Sequence, residues 1–175
     1  MNATGTILLR VLGLVLGLAA AVSLVLVSRI PPGTGTLGAD VIIAAAPTGE
    51  LGVSPTGPFL SATNLSPGGT DIPAGILKVT NQTGIDLHVQ VRGLPSSRDL
   101  DDVLRLRVAT DDEPIFEGTL GELRTWSSAA FTLASGETGD VEVRTWIDPT
   151  EDEGWSGRMA NVALEFRSAP IGGSA

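Results

Sequence analysis

In Leu65–Gly93, LSPGGTDIPAGILKVTNQTGIDLHVQVRG, the chain turns at Pro67-Gly68, runs through GILKVTN, turns again at Asn81-Gln82-Thr83-Gly84, and then alternates strictly. Ile85, Leu87, Val89 and Val91 fall on one side of that last run, and Asp86, His88, Gln90 and Arg92 on the other. A period of two residues belongs to a strand with one buried and one solvated face. Two such runs around a polar, glycine-containing turn predict a β-hairpin.

The same pattern spreads outward from this hairpin. DVIIAAAP from Asp40 and GPFLSATNL from Gly57 precede it. VLRLRVAT follows, with Leu104, Leu106 and Val108 set against Arg105 and Arg107. EPIFEG, AFTLASG, DVEVRTWIDP and ANVALEFRSA complete the series. Eight or nine short strands, punctuated by Gly, Pro, Asn and Asp, predict an all-β sandwich or barrel. Two stretches depart from it. SSRDLDD before Val103 reads as one helical turn, and Thr119 three residues before Glu122 has capping-box spacing, so a short helix is expected over Leu120–Arg124. There is no internal repeat and no sign of a second folded domain.

Before the strands lies Val11–Val27, seventeen residues without a charge, between Arg10 and Arg29. At helical rise this run reaches roughly 25 Å, close to the hydrocarbon thickness of a bilayer. It reads as an N-terminal signal anchor or a cleaved signal peptide over residues 1–30. The small-residue cleavage candidates, Ala21-Val22-Ser23 and Leu37-Gly38-Ala39, are poor matches. Either way the remainder is expected outside the membrane: anchored with an extracellular domain, or secreted to the cell surface or matrix. Residues 31–39 form a Gly/Pro-rich linker, 40–169 the β-sandwich ectodomain, and 170–175 a flexible tail.

Composition excludes more chemistry than it supports. A net charge of −9 with no basic patch argues against nucleic acid. Without cysteine there are no disulfides, no thiolate zinc ligands and no thiol nucleophile. His88 is the only histidine, so a histidine-rich zinc site cannot be assembled; a serine triad needs just one histidine, but no G-x-S-x-G elbow is present and His88 falls mid-strand on the polar face. His88 is read instead as a solvent-facing strand residue. Carboxylates cluster in TDDEP (Thr110–Pro114) and DPTEDEG (Asp148–Gly154), but neither follows the calcium-loop spacing, and both are read as hydrated loops. With no tyrosine, a sugar platform is poorly supplied, and Trp126, Trp146 and Trp155 are assigned to core or rim. The sequons at Asn64 and Asn81 mean little if the source is bacterial. No catalytic, cofactor-binding or metal-binding residue is therefore assigned, and no cofactor is expected.

The order of segments resembles the TasA/camelysin family of exported bacterial proteins. An apolar N-terminal segment is followed by NLSPGG, LKVTNQTGIDLHVQV, DLDDVLRLRV, IFEGTLGEL, LASGETGDVEVRTWIDP and GWSGRMANVALEFRS. The likeness covers about Asp40 to Ala169. Its turns match at Pro67-Gly68, at Asn81 and Gly84, at Leu133, Gly136 and Glu137, and at Ser156-Gly157, and its short helix at Gly118, Leu120 and Leu123. The resemblance implies a jelly-roll-like β-sandwich and a surface or biofilm-matrix role. One family name also implies a surface peptidase.

The function expected from these readings is that of a non-enzymatic, structural or self-associating surface protein. A camelysin-like peptidase and an extracellular ligand- or cation-binding module are the alternatives. Partners are expected to be the membrane, through the apolar segment, and a second copy or another envelope protein at sheet edges. The first strand, ADVIIAAAP, on its glycine-rich joint is the candidate for exchange between copies.

Overall fold

Period-two alternation becomes two five-stranded sheets that share one core. The computed structural model describes residues 38–45, 50–69, 72–148 and 155–171, and the structural statements that follow concern these residues. All of them belong to one compact unit, Thr36–Ala175. The strands are β1 (Ala39–Ala45), β2 (Leu51–Ser54), β3 (Gly57–Leu65), β4 (Ala74–Asn81), β5 (Leu87–Pro95), β6 (Leu104–Thr110), β7 (Glu113–Thr119), β8 (Phe131–Leu133), β9 (Thr138–Ile147) and β10 (Met159–Pro170). The first sheet has the order β3-β1-β10-β5-β8, the second β2-β4-β9-β6-β7. This is an all-β sandwich. The expected anchor or signal (1–30), nearly all of the linker and the end of the tail lie outside the described residues. Among those described, no helix is long and apolar enough to cross a membrane.

Each central strand points its apolar set inward. Leu87, Val89 and Val91 of β5, Leu104, Leu106 and Val108 of β6, and Val141, Val143 and Ile147 of β9 are buried together with Leu164 and Phe166 of β10. Burying a side chain of this size stabilises by about 1.5–3 kcal/mol, so the shared core outweighs any single polar contact. Among the described strands, the one parallel ladder joins the first to the last: β1 runs beside Met159–Leu164 of β10, and β5 takes the other side of β10 over Val162–Pro170. A parallel pair needs a long connection, and here nearly the whole domain is that connection.

Four differences from the sequence reading have local causes. β2 was not expected; it is four residues long, contains Gly52 and ends before Pro55, so no alternation had room to show. Ile85 is half exposed rather than in the core, because β5 begins only at Leu87 and Ile85 belongs to the turn. The helix over Leu120–Arg124 is a single 3-10 turn, Glu122–Arg124. The last strand is longer than ANVALEFRSA by one residue at each end, Met159 and Pro170, and beyond it Ile171 N–H bonds the Asp86 carbonyl at 3.0 Å.

The irregular segments are stapled to each other. Leu104 N–H bonds the Leu100 carbonyl at 3.0 Å, closing the helical turn expected before β6. Arg124 grips Asp101 with two hydrogen bonds, Nε to Oδ2 at 2.7 Å and Nη2 to Oδ1 at 2.9 Å, and also reaches the Ser97 carbonyl. Leu120 and Leu123 are thereby held in the core.

The two faces of β5 make a direct test. Leu87→Asp places a charge among fully buried side chains and is expected to cost several kcal/mol, enough to unfold a domain of ordinary stability. His88→Ala, on the exposed face, is expected to shift Tm by no more than a few degrees. Thermal denaturation followed by circular dichroism checks both; the reverse ranking would mean that the strand's faces are exchanged.

Candidate functional site

The outer face of the first sheet gathers the most varied chemistry. His88, Gln90 and Arg92 project from β5, Glu165 and Arg167 from β10. The Trp126 ring lies between two guanidinium groups, with Arg92 Cζ 4.5 Å and Arg167 Cζ 4.7 Å from its centroid. Arg92 Nε donates to Glu165 Oε2 at 2.9 Å, and Arg167 donates to Gln90 Oε1 through Nε and Nη2 at 2.9 and 2.7 Å. Gln90 Nε2 in turn donates to the Ser127 carbonyl, and Ser127 Oγ accepts the Val91 N–H. Arg92, Arg167, Gln90, Glu165 and Ser127 thus find protein partners, and the stack fastens Trp126–Ser127 onto the sheet. Two cation–π contacts of this kind contribute about 0.5–2 kcal/mol each.

Beside the stack is a recess of about 500 Å³ lined by His88, Gln90, Ala130, Arg167, Ser168 and Ala169. His88 is exposed there, its Nδ1 3.4 Å from Thr132 Oγ1. The other hydroxyl, Ser168 Oγ, donates to Glu50 Oε2 at 2.9 Å. Among the described residues lining this recess, no nucleophile, base and orienting acid line up in sequence, which is the geometry that hydrolysis through a hydroxyl requires.

A second opening, about 340 Å³, lies between the edge strands β7 and β8. Asp111, Glu113, Glu137 and Asp140 line it together with Ile115, Phe131 and Leu133. Two of the carboxylates have structural work: Glu137 Oε2 accepts the Ala134 N–H at 2.6 Å, and Asp140 accepts Lys78 Nζ at 2.8 Å. Asp111 and Asp112 take φ of 48° and 66°, the left-handed pair of a two-residue hairpin turn between β6 and β7. The TDDEP run is therefore turn chemistry. Of the second acidic run only Asp148 is described; it accepts Arg105 Nε at 2.7 Å and Trp146 Nε1 at 3.2 Å. Among the described residues no three His, Cys, Asp or Glu side chains are grouped so as to hold a metal ion.

The one fully buried polar side chain that ties several loops together is Asn81. Its Nδ2 donates to the carbonyls of Ile85, Leu133 and Ala134 at 2.7, 3.1 and 3.0 Å. Its Oδ1 accepts both Thr83 N–H and Thr83 Oγ–H, at 2.9 and 2.7 Å, and its own N–H reaches the Glu137 carbonyl at 2.8 Å. The β4–β5 and β8–β9 turns are thus built around one amide. Ser135 adds a second latch: its N–H donates to Asp86 Oδ1 and its Oγ to the Thr83 carbonyl, both at 3.0 Å. Asn81 is a structural hub, not a glycan acceptor.

The capping-box spacing is realised reciprocally. Thr119 N–H donates to Glu122 Oε2 at 2.7 Å, and Glu122 N–H donates to Thr119 Oγ1 at 3.2 Å. The Thr119 backbone hydrogen bond, assisted by the Thr119 side chain, holds the Glu122 carboxyl below its ordinary value of 4.5.

With this geometry established, comparison with known proteins adds no assignment. No family profile matches the chain, and no curated protein is significantly similar to it.

Asn81→Asp keeps the acceptor and removes the donor to three carbonyls. It is expected to cost about 3 kcal/mol or more and to lower Tm by roughly 10 °C. A Tm within two degrees of the parent in a thermal melt at neutral pH would remove Asn81 from this role. Glu122 carries a pH signature. Because its folded-state pKa is depressed, its contribution is complete above the unfolded value and is lost as pH falls through the lower, folded one. Denaturant titrations are expected to show the parent losing its advantage over Glu122→Gln only below about pH 4.5; an advantage that persists unchanged at lower pH would overturn the assignment.

Proposed function

We propose that this chain is a non-enzymatic surface or matrix protein of the TasA/camelysin kind. It would be anchored by its apolar N-terminal segment or released by cleavage, with a jelly-roll-like ectodomain that associates with further copies by exchanging its first strand. The observation that carries this reading is the position of β1. It is the first of the described strands yet interior in its sheet, hydrogen-bonded to β3 on one side and β10 on the other. If it leaves, it opens a slot between two intact strands, and the same strand from another copy restores identical contacts.

Simple edge-to-edge pairing is less favoured than the sequence reading expected. β2 and β8 are only four and three residues long. β7 begins Glu113-Pro114, exposes Glu117 and pairs irregularly with β6. β3 carries Pro58 and two register shifts against β1. Short length, charge, proline and bulges are the devices that blunt a sheet edge. Exchange of an interior strand does not need an open edge.

The inward side chains of β1 are Ala39, Val41, Ile43 and Ala45, a light set for an interior strand. Only Val41 and Ile43 bury a large apolar group, so withdrawal costs less than it would for β5 or β10. The peptidase alternative has no supporting grouping of side chains among the described residues.

The test compares a chain beginning at Thr36 with one beginning at Gly49, followed by light scattering over days. The longer form is expected to accumulate oligomers slowly. The shorter form is expected to seed none and to bind a synthetic peptide of residues 38–48. If both remain equally monomeric, or the shorter form assembles better, strand exchange is wrong.

A further inference from the structure

Strand β1 is light in apolar contacts, yet its first residues are fastened on both sides, which marks a built device. Gly38 lends its carbonyl to Gly157 N–H at 3.0 Å, and Asp40 N–H donates to the Arg158 carbonyl at the same distance. On the other side the Asp40 carboxylate accepts the Asn64 N–H at 2.9 Å. Asn64 sits in the left-handed region, φ 59°, where β3 slips register against β1. A Cβ on Gly38 would collide with the Asn64 backbone, so only glycine permits the chain to pass this close.

The turn that receives these bonds is itself held. Trp155 is buried, Arg158 N–H closes onto the Trp155 carbonyl at 3.2 Å, and Arg158 Nη1 donates to the Asp99 carbonyl at 3.0 Å. Asp40 therefore bridges two fixed points, the bulge in β3 and the turn before β10, and does so where the strand enters the sheet. Towards Ala45, β1 contributes only Ala44 and Ala45, whose small side chains hold it weakly.

We propose that the Asp40–Asn64 bond is a clasp that governs local release of β1, so that the strand opens as a unit from its entry end while the rest of the sandwich stays folded. The clasp deepens the strand-exchange reading by naming what regulates it, but opening within one copy requires no second copy. Loss of this charge-assisted hydrogen bond, which lies exposed where the strand enters the sheet, would raise the open population of β1 ahead of the rest, because β1 adds only Val41 and Ile43 as large groups to the core it shares with β5, β6, β9 and β10.

Native-state hydrogen exchange on the full chain in mild detergent, at concentrations where it is monomeric, tests the clasp. In Asp40→Ala the amides of Val41 to Ala44 are expected to lose protection by roughly ten- to a hundredfold, while those of Val89, Val91, Val141 and Val143 are unchanged. Asp40→Asn, which retains an acceptor without its charge, is expected to fall between parent and Asp40→Ala. Unchanged β1 protection in both variants, or an equal loss throughout the core, overturns the clasp. If Asp40→Ala does not fold, the Asp40→Asn comparison decides by the same criterion. Faster opening of β1 without any oligomer would keep the clasp and remove the exchange reading; oligomers that form at the parental rate despite faster opening would do the same.

Discussion

One amide, buried where two turns meet, sets the geometry of the hairpin end of this sandwich. Asn81 must stay inside because its Nδ2 and Oδ1 are the partners of backbone groups from Thr83, Ile85, Leu133 and Ala134. A buried carbonyl without a donor costs about 1–3 kcal/mol, so the core cannot close over these turns unless one side chain supplies donor and acceptor together. Asparagine does both in a small volume. Gly136, at φ 74°, lets the β8–β9 turn fold back far enough to present its carbonyls. The registers of β4, β5, β8 and β9 all follow from this point, as β4 pairs with β9 and β5 with β8.

From that end the two sheets are carried by ordinary burial, and polar links concentrate where the backbone leaves the ladder. Arg124 and Asp101 join the two helical turns, and Trp126 between Arg92 and Arg167 lays the following segment on β5. These contacts face solvent on one side and are satisfied within the chain on the other. A chain with no cysteine has no covalent staple for its loops, and here side-chain forks and one buried amide fill that role.

Most strands were legible because alternation over seven or more residues is a long signal, as in β5, β6 and β9. β2 was not, because four residues with a glycine carry too little of it. Ile85 fits the alternation but lies in the turn, since the demands of Asn81 and Thr83 on its carbonyl override the apolar side chain. The capping box at Thr119 and Glu122 was readable from spacing alone, although the helix it caps shrinks to one turn. The Trp126 stack was out of reach: the arginines lie on two different strands, and only sheet order brings Arg92 beside Glu165 and both guanidinium groups onto one ring. Strand order is likewise invisible in a period. The parallel pairing of β1 with β10 joins segments more than a hundred residues apart.

That pairing links the fold to the proposed role. A terminal strand at the edge of a sheet could detach without leaving anything for a partner to fill; an interior strand leaves two rows of backbone groups, on β3 and β10, each without its ladder. The cost of those exposed groups holds the strand in place in an isolated copy and, under the proposed exchange, would be recovered when another copy donates the same strand. Closed, blunted edges therefore do not oppose association in such a protein. In the proposed role they would restrict it to the one site where a strand must first be withdrawn, so that assembly would follow the opening of β1 and not the mere meeting of surfaces.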